Sequence, residues 1–212
     1  GQDARVVLDD EGKNLVLRKI AGECEKDLKV FKGNLKKQGY ISEVKSVLSE
    51  FAQYGVDFER LDDFMKEVPP ESYLHYKLDD IRTIYEKFEE YLSEKYITKE
   101  EMLDVLSDAV PYSDILKGSV VAMDGFTGFT PVQNRLIGEL FSVCEKVMIT
   151  VTMDGRENPY VYEHPYQIFA LGKQMVTSLM KIAGEKKTEI EEPICLFERP
   201  VYRFRDCSEM AF

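Results

Sequence analysis

The sequence predicts an α/β protein, a predominantly helical segment followed by a short piece of parallel sheet, and three observations carry that prediction. Apolar residues recur at three- and four-residue spacing through the first half of the chain. The period changes at Lys117-Gly118, where Ser119-Val120-Val121-Ala122-Met123 forms a continuous small apolar run. A second β-branched run, Val147 to Thr152, follows one helix later. With 212 residues, 44% of them hydrophobic and 11% aromatic, the chain has the material for a packed core in one large domain or two small ones.

Each element has its own signal. Leu15, Leu17 and Ile20 open an apolar pattern that resumes at Leu28 and Phe31, and Gly33-Asn34 and Gly39-Tyr40 mark turns. Ile41, Val44, Val47, Leu48 and Phe51 form a helical stripe that Gly55 stops. A short acidic helix from Phe58 to Met65 runs into Pro69-Pro70, which cannot continue it. Leu78, Ile81, Ile84, Tyr85, Phe88, Tyr91 and Leu92 predict the longest helix, with the aromatic residues read as core. Met102, Leu103, Val105 and Leu106 carry another, closed by Pro111, and no strand is expected before about residue 115.

From there the first apolar run predicts a strand buried on both faces, ending at Asp124-Gly125. Thr130, Pro131 and Gln133 form a helix start: a capping hydroxyl, a proline with a pre-set φ, and a glutamine placed to reach back. Leu136, Ile137, Leu140, Phe141 and Cys144 form its buried stripe. Strand, helix and strand occupy 37 residues, 117 to 153, the length of a parallel βαβ unit. A loop with tyrosines follows, then a helix from about Tyr166 to Ala183 stopped by Gly184, and a tail with a strand expected at Ile194-Cys195-Leu196.

Several chemistries are excluded or unsupported. Apolar runs fall far short of the roughly 20 residues that span a bilayer, and no charged-then-apolar leader opens the chain. The cysteines at 24, 144, 195 and 207 are scattered and form no CxxC pair, so a reduced, cytoplasmic location is expected. The two histidines, His75 and His164, lie in unrelated segments, which argues against zinc. No GxxxxGK[ST] loop occurs, and Asp10-Glu11-Gly12-Lys13 lacks both its spacing and a preceding strand. The net charge of −11 disfavours a surface that binds nucleic acid throughout. That charge is uneven: residues 57–108 hold 16 acidic against 7 basic side chains, whereas residues 11–46 hold 9 basic against 5 acidic. The opening Gly and the abrupt end at Phe212 predict a piece of a longer polypeptide.

The candidate functional positions are few. Asp124 and Asp154 are both expected where a parallel strand ends, the edge at which open α/β sheets bind ligands. Asp-Gly is equally a common strand-to-loop turn. Lys29, Lys32, Lys36 and Lys37 (with Lys26) are candidates to touch a phosphate backbone, or else form a solvated face. No catalytic residue and no metal ligand is expected.

The stretch Val121-Ala122-Met123-Asp124-Gly125-Phe126-Thr127-Gly128-Phe129-Thr130-Pro131-Val132-Gln133 resembles the "DGFTxFTPxQ" segment of the AddB subunit of AddAB-type helicase–nucleases. Leu15 to Ile20, Ile41 to Gly55 and Lys95-Tyr96-Ile97 agree with it. More distantly, the segment is similar to the Walker B strand of superfamily-one helicases, where Asp-Glu ends the strand, the Asp holding Mg²⁺ through water and the Glu polarising the attacking water. Here Asp124 keeps the first carboxylate, and Gly125 stands where the second would be. Glycine offers no base, so the resemblance implies a P-loop-helicase-like domain that no longer hydrolyses ATP.

On that reading residues 1–13 are a lead-in and 14–115 a helical subdomain inserted in the motor domain. Residues 116–155 belong to its parallel sheet, and 156–212 are its carboxyl-terminal helix and tail. The resemblance further implies a parent that unwinds and resects broken DNA ends with an AddA-like helicase subunit and recognises a Chi-type sequence. The parent's Mg²⁺ and iron–sulfur cluster would lie outside this chain, whose own role would be to scaffold and guide DNA. The rival expectation is an acidic helical protein-interaction module with no DNA role.

Overall fold

A computed structural model describes residues 5–196 except 36, 94, 155 and 156. Lys36, Gly155 and Cys207 lie outside the described residues. The chain divides into two compact units, residues 1–112 with 130–137 and residues 113–129 with 138–212.

The first unit contains β1 (Val6–Leu8), α1 (Asp10–Cys24), α2 (Gln38–Tyr54), α3 (Phe58–Glu67), α4 (Tyr73–Leu92), β2 (Tyr96–Thr98) and α5 (Lys99–Ala109), followed by a 3₁₀ turn at Val110–Tyr112. Its core is one cluster in which Leu17, Ile20, Ile41, Leu61, Ile84 and Leu92 are almost wholly removed from water. Burial of such side chains contributes about 1.5–3 kcal/mol each. The helical stripes account for most of it. Tyr91, Met102 and Leu106 are exposed, and so is Leu15, pointing outward at 68% exposure because the buried face of α1 is set by Lys13, Val16, Leu17 and Ile20.

β1 and β2 pair in parallel, from Val6 with Tyr96 to Leu8 with Thr98. The expectation of no strand before residue 115 is therefore corrected: two strands are there, each only three residues long, too short to show a period of two. The segment 25–37 between α1 and α2 has no regular helix, and Asp80 of α4 gives it its path. The Asp80 carboxylate, 1% exposed, accepts the backbone N–H groups of Lys29 (2.8 Å), Val30 (2.7 Å) and Phe31 (2.8 Å). Gly55, with φ of 63°, closes α2 as expected.

The second unit contains β3 (Val120–Met123), β4 (Lys146–Ile149) and α7 (Ala170–Lys186). α6 (Pro131–Val143) begins with residues grouped in the first unit and continues into the second. β3 and β4 are parallel and in register from Val120 with Lys146 to Met123 with Ile149, as the βαβ spacing predicts. The strand is not buried on both faces, however. Val120 and Met148 are 56% and 42% exposed, because two strands alone leave one face without a covering layer.

α7 starts at Ala170, after an irregular segment rather than at Tyr166, and runs past Gly184 to Lys186, where Lys187 adopts a left-handed conformation. Gly172 lets this helix approach the chain leaving β4: a Cβ there would lie 3.2 Å from Val151 Cγ1. Residues 194–196 form no strand and are exposed. Among the described residues no helix is long and apolar enough to cross a membrane.

Candidate strand-end site and basic segment

β3 delivers Asp124 to its carboxyl end, and the next residue turns sharply, with Gly125 at φ of 81°. That left-handed geometry favours glycine, so Gly125 combines a turn requirement with the absence of a second carboxylate. The Thr150 hydroxyl, just past β4, donates a hydrogen bond to Asp124 Oδ1, and the Thr150 N–H donates to the Met123 carbonyl at 3.0 Å. Asp124 is thus an exposed carboxylate tied to its neighbouring strand. Phe126 and Phe129 pack with ring centroids 5.0 Å apart in the loop that follows.

The helix start reads as the sequence predicts. Gln133 Oε1 accepts the Thr130 N–H at 2.9 Å, Thr130 Oγ1 accepts the Gln133 N–H at 3.4 Å, and Pro131 is the first helical residue. Arg135 pairs with Asp104 at 2.6 Å and with Asp108 within the first unit.

Asp154 is not at a strand end. β4 stops at Ile149, so Asp154 lies in the irregular chain beyond it and is half-buried. Thr150 to Thr152 have β-branched character but no further partner strand to pair with. Among the described residues no three His, Cys, Asp or Glu side chains converge on a metal-sized space. Cys24 is buried, which pushes its thiol above the ordinary value, while Cys144 is half-buried and receives the Ser119 hydroxyl at 3.5 Å. The Cys24 environment disfavours a reactive thiolate.

The lysines of the basic segment differ in circumstance. Lys29 Nζ sits 2.9 Å from Asp79 Oδ2 and 4.8 Å from the Tyr76 ring centroid; the Asp79 hydrogen bond holds its ammonium above the ordinary lysine value. Lys37 donates to Asn34 at 3.2 Å and lies over Tyr40. Lys32 is exposed. Lys29 is therefore occupied by α4, and Lys26, Lys32 and Lys37 are exposed charges of the set. Tyr85 and Phe88 are buried as predicted. Tyr91 is 37% exposed instead, stacked on Tyr96 at 6.2 Å and with Lys19 Nζ 4.8 Å from its ring centroid.

Sequence reasoning misses the buried charges. Gly12-Lys13 does follow a strand, but the Asp9 side chain accepts the Gly12 N–H at 2.7 Å, so this helix start is already capped. Lys13, 2% exposed, pairs with Glu100 at 2.6 Å rather than facing a phosphate. Lys173, 4% exposed, pairs with Glu157 at 2.5 Å. The signal for Lys13 is its place one turn before Val16 and Leu17. The second capping box, Thr98 with Glu101 at the start of α5, is legible as Thr-x-x-Glu.

Residues 1–212, the whole chain, match the family model described as "ADDB, N-terminal". Proteins named as the B subunit of an ATP-dependent helicase/deoxyribonuclease are similar along the same length. The one from Lachnoclostridium phytofermentans is 39% identical over 213 residues, covering 100% of this chain and 18% of that protein. The one from Thermoanaerobacter is 34% identical over 201 residues, 95% of this chain and 17% of its own length. The one from Clostridium acetobutylicum is 31% identical over 216 residues, again 100% and 18%. The chain thus spans less than a fifth of these relatives. A parallel strand pair with its Asp-Gly exit, a capped helix from Thr130, and a match that runs from the first residue to the last lead to one assignment: the chain belongs to the ADDB N-terminal family.

Proposed function

We propose that this region is a non-hydrolysing part of a helicase–nuclease subunit, one that scaffolds the assembly and guides DNA while double-strand ends are resected for repair. In this reading the full-length protein works with an AddA-like helicase subunit and contributes to Chi-type recognition. Its Mg²⁺ and iron–sulfur chemistry resides elsewhere in the polypeptide. Support comes from the strand-end constellation. Asp124 is bound by Thr150, and its neighbour Gly125 has no group to activate water. Lys26, Lys32 and Lys37 are the exposed candidates to meet a phosphate backbone.

The test is Asp124→Ala in the full-length subunit with its partner. ATP hydrolysis and DNA degradation should stay at the level of the unmodified complex. A loss of ~10²-fold or more, the lower end of what a catalytic side chain contributes, would overturn the reading.

One observation favours the rival, a protein-interaction module. Phe64, Tyr73 and Leu74 of the acidic α3–α4 region are 55%, 71% and 51% exposed. Titration with single-stranded DNA separates the two: weak binding that fades with salt supports DNA guidance, and no binding at low salt supports the rival.

A further inference from the structure

Among the described residues of the first unit, lysine meets tyrosine at Lys19–Tyr91, Lys29–Tyr76 and Lys37–Tyr40. The first of these differs from the others. Lys29 is drawn off by Asp79 at 2.9 Å, and Tyr40 meets Phe31 only edge-on, at 6.3 Å. Tyr91, near the end of α4, has a second ring beside it: Tyr96 of β2 lies 6.2 Å away, with the two planes within 7° of parallel. Lys19 of α1 holds its Nζ 4.8 Å from the Tyr91 centroid. Val6, 62% exposed, pairs with Tyr96 in the β1–β2 ladder. Partners in register share a sheet face, so Val6 continues the apolar surface beside the rings.

We propose that Tyr91 and Tyr96 form a stacking platform for a base of single-stranded DNA, with Lys19 taking the adjoining phosphate. The proposal rests on the DNA-guiding reading above and names the place where the strand lies. Every base offers a flat π face, so parallel rings open to water accept a strand without regard to its sequence. Arg18, Lys19, Lys87 and Lys95 make no ion pair among the described residues, and their charge is free to meet phosphate. Glu23 and Glu90, both exposed, stand near them in sequence, so stacking rather than charge supplies most of the affinity here.

Lys19 covers one face of Tyr91 and yields it to the base. A cation over an exposed ring is worth about 2- to 5-fold in binding. A base stacked on an aromatic side chain is worth about 5- to 150-fold. The base therefore displaces the ammonium, whose flexible four-carbon stem lets it turn to the phosphate. It is the ring of Tyr91 that this arrangement needs, and its hydroxyl is dispensable.

Photocrosslinking in the full-length subunit with its partner subunit reads the platform. The probe is a single-stranded oligonucleotide containing iododeoxyuridine, which joins to an aromatic ring stacked against it. Tyr91 and Tyr96 fall in the tryptic peptides 88–95 and 96–99, and the label is expected there. It should fall about 5-fold or more in Tyr91→Leu and persist in Tyr91→Phe. Lys19→Glu, a surface exchange, should also lower it. Label elsewhere in residues 1–212 but none on 88–99 would overturn the platform and leave the DNA-guiding reading standing. No label anywhere in residues 1–212 would remove both. Label on 88–99 that is unchanged in Tyr91→Leu or Lys19→Glu, or lost in Tyr91→Phe, would overturn the platform as well.

Discussion

Asp80 contributes to the first unit out of proportion to its size. Its carboxylate accepts three backbone N–H groups from a segment with no helix or sheet of its own. Hydrogen bonds to a charged acceptor are worth about 1.5–3 kcal/mol each, and removing the acceptor leaves three donors with nothing to bind. Asp80→Ala should cost about 3 kcal/mol or more in denaturant unfolding. Asp80→Asn, which keeps one oxygen acceptor, should cost less. Lys13 with Glu100 is the other buried polar commitment, and it works in both directions on the acid. Burial acts to raise the Glu100 carboxyl, but the Lys13 hydrogen bond and charge outweigh it and hold the group below its ordinary value. Neither Asp80 nor Lys13 stands out by residue type. Each is visible only as a charge occupying a position of an apolar stripe, Asp80 next to Ile81 and one turn from Ile84.

At the level of elements, the chain announces its helices and hides its short strands. α2, α4 and α6 have stripes of several turns, and their ends are marked by Gly55, Ser72 and Thr130. β1 and β2 have three residues each and are specified by their pairing across 90 residues of chain, which no local pattern records. β4 stops at Ile149 although the β-branched run continues to Thr152, because a strand lasts only as long as its partner. The same logic moves Asp154 away from the strand end. The two capping boxes are the local features with the most direct energetic meaning. Thr98→Ala and Thr130→Ala should each lower stability by about 1 kcal/mol, measured by denaturant unfolding, and Ser or Asp at either position should restore most of it.

For the molecule as a whole, the two parallel strand pairs are incomplete by the standards of parallel sheets, which are covered on both faces. A two-stranded sheet is marginal without further strands or packing. Since the relatives are more than five times longer, the open face of β3–β4 is expected to be covered in the full-length polypeptide. Met148, 42% exposed in this chain, reports on it. Its thioether should oxidise readily under peroxide in the 212-residue chain and slowly in the full-length protein, read by peptide mass. Equal rates would mean that the face stays open to water.

The grip of Asp80 on its neighbours has one more consequence. It holds main-chain amides, which every residue but proline supplies, so it is indifferent to the side chains borne at Lys29 and Lys32. Natural drift or a protein engineer is free to neutralise the exposed lysines of that segment, and the chain will trace the same course. A proline at 29, 30 or 31 is the one exchange this arrangement forbids.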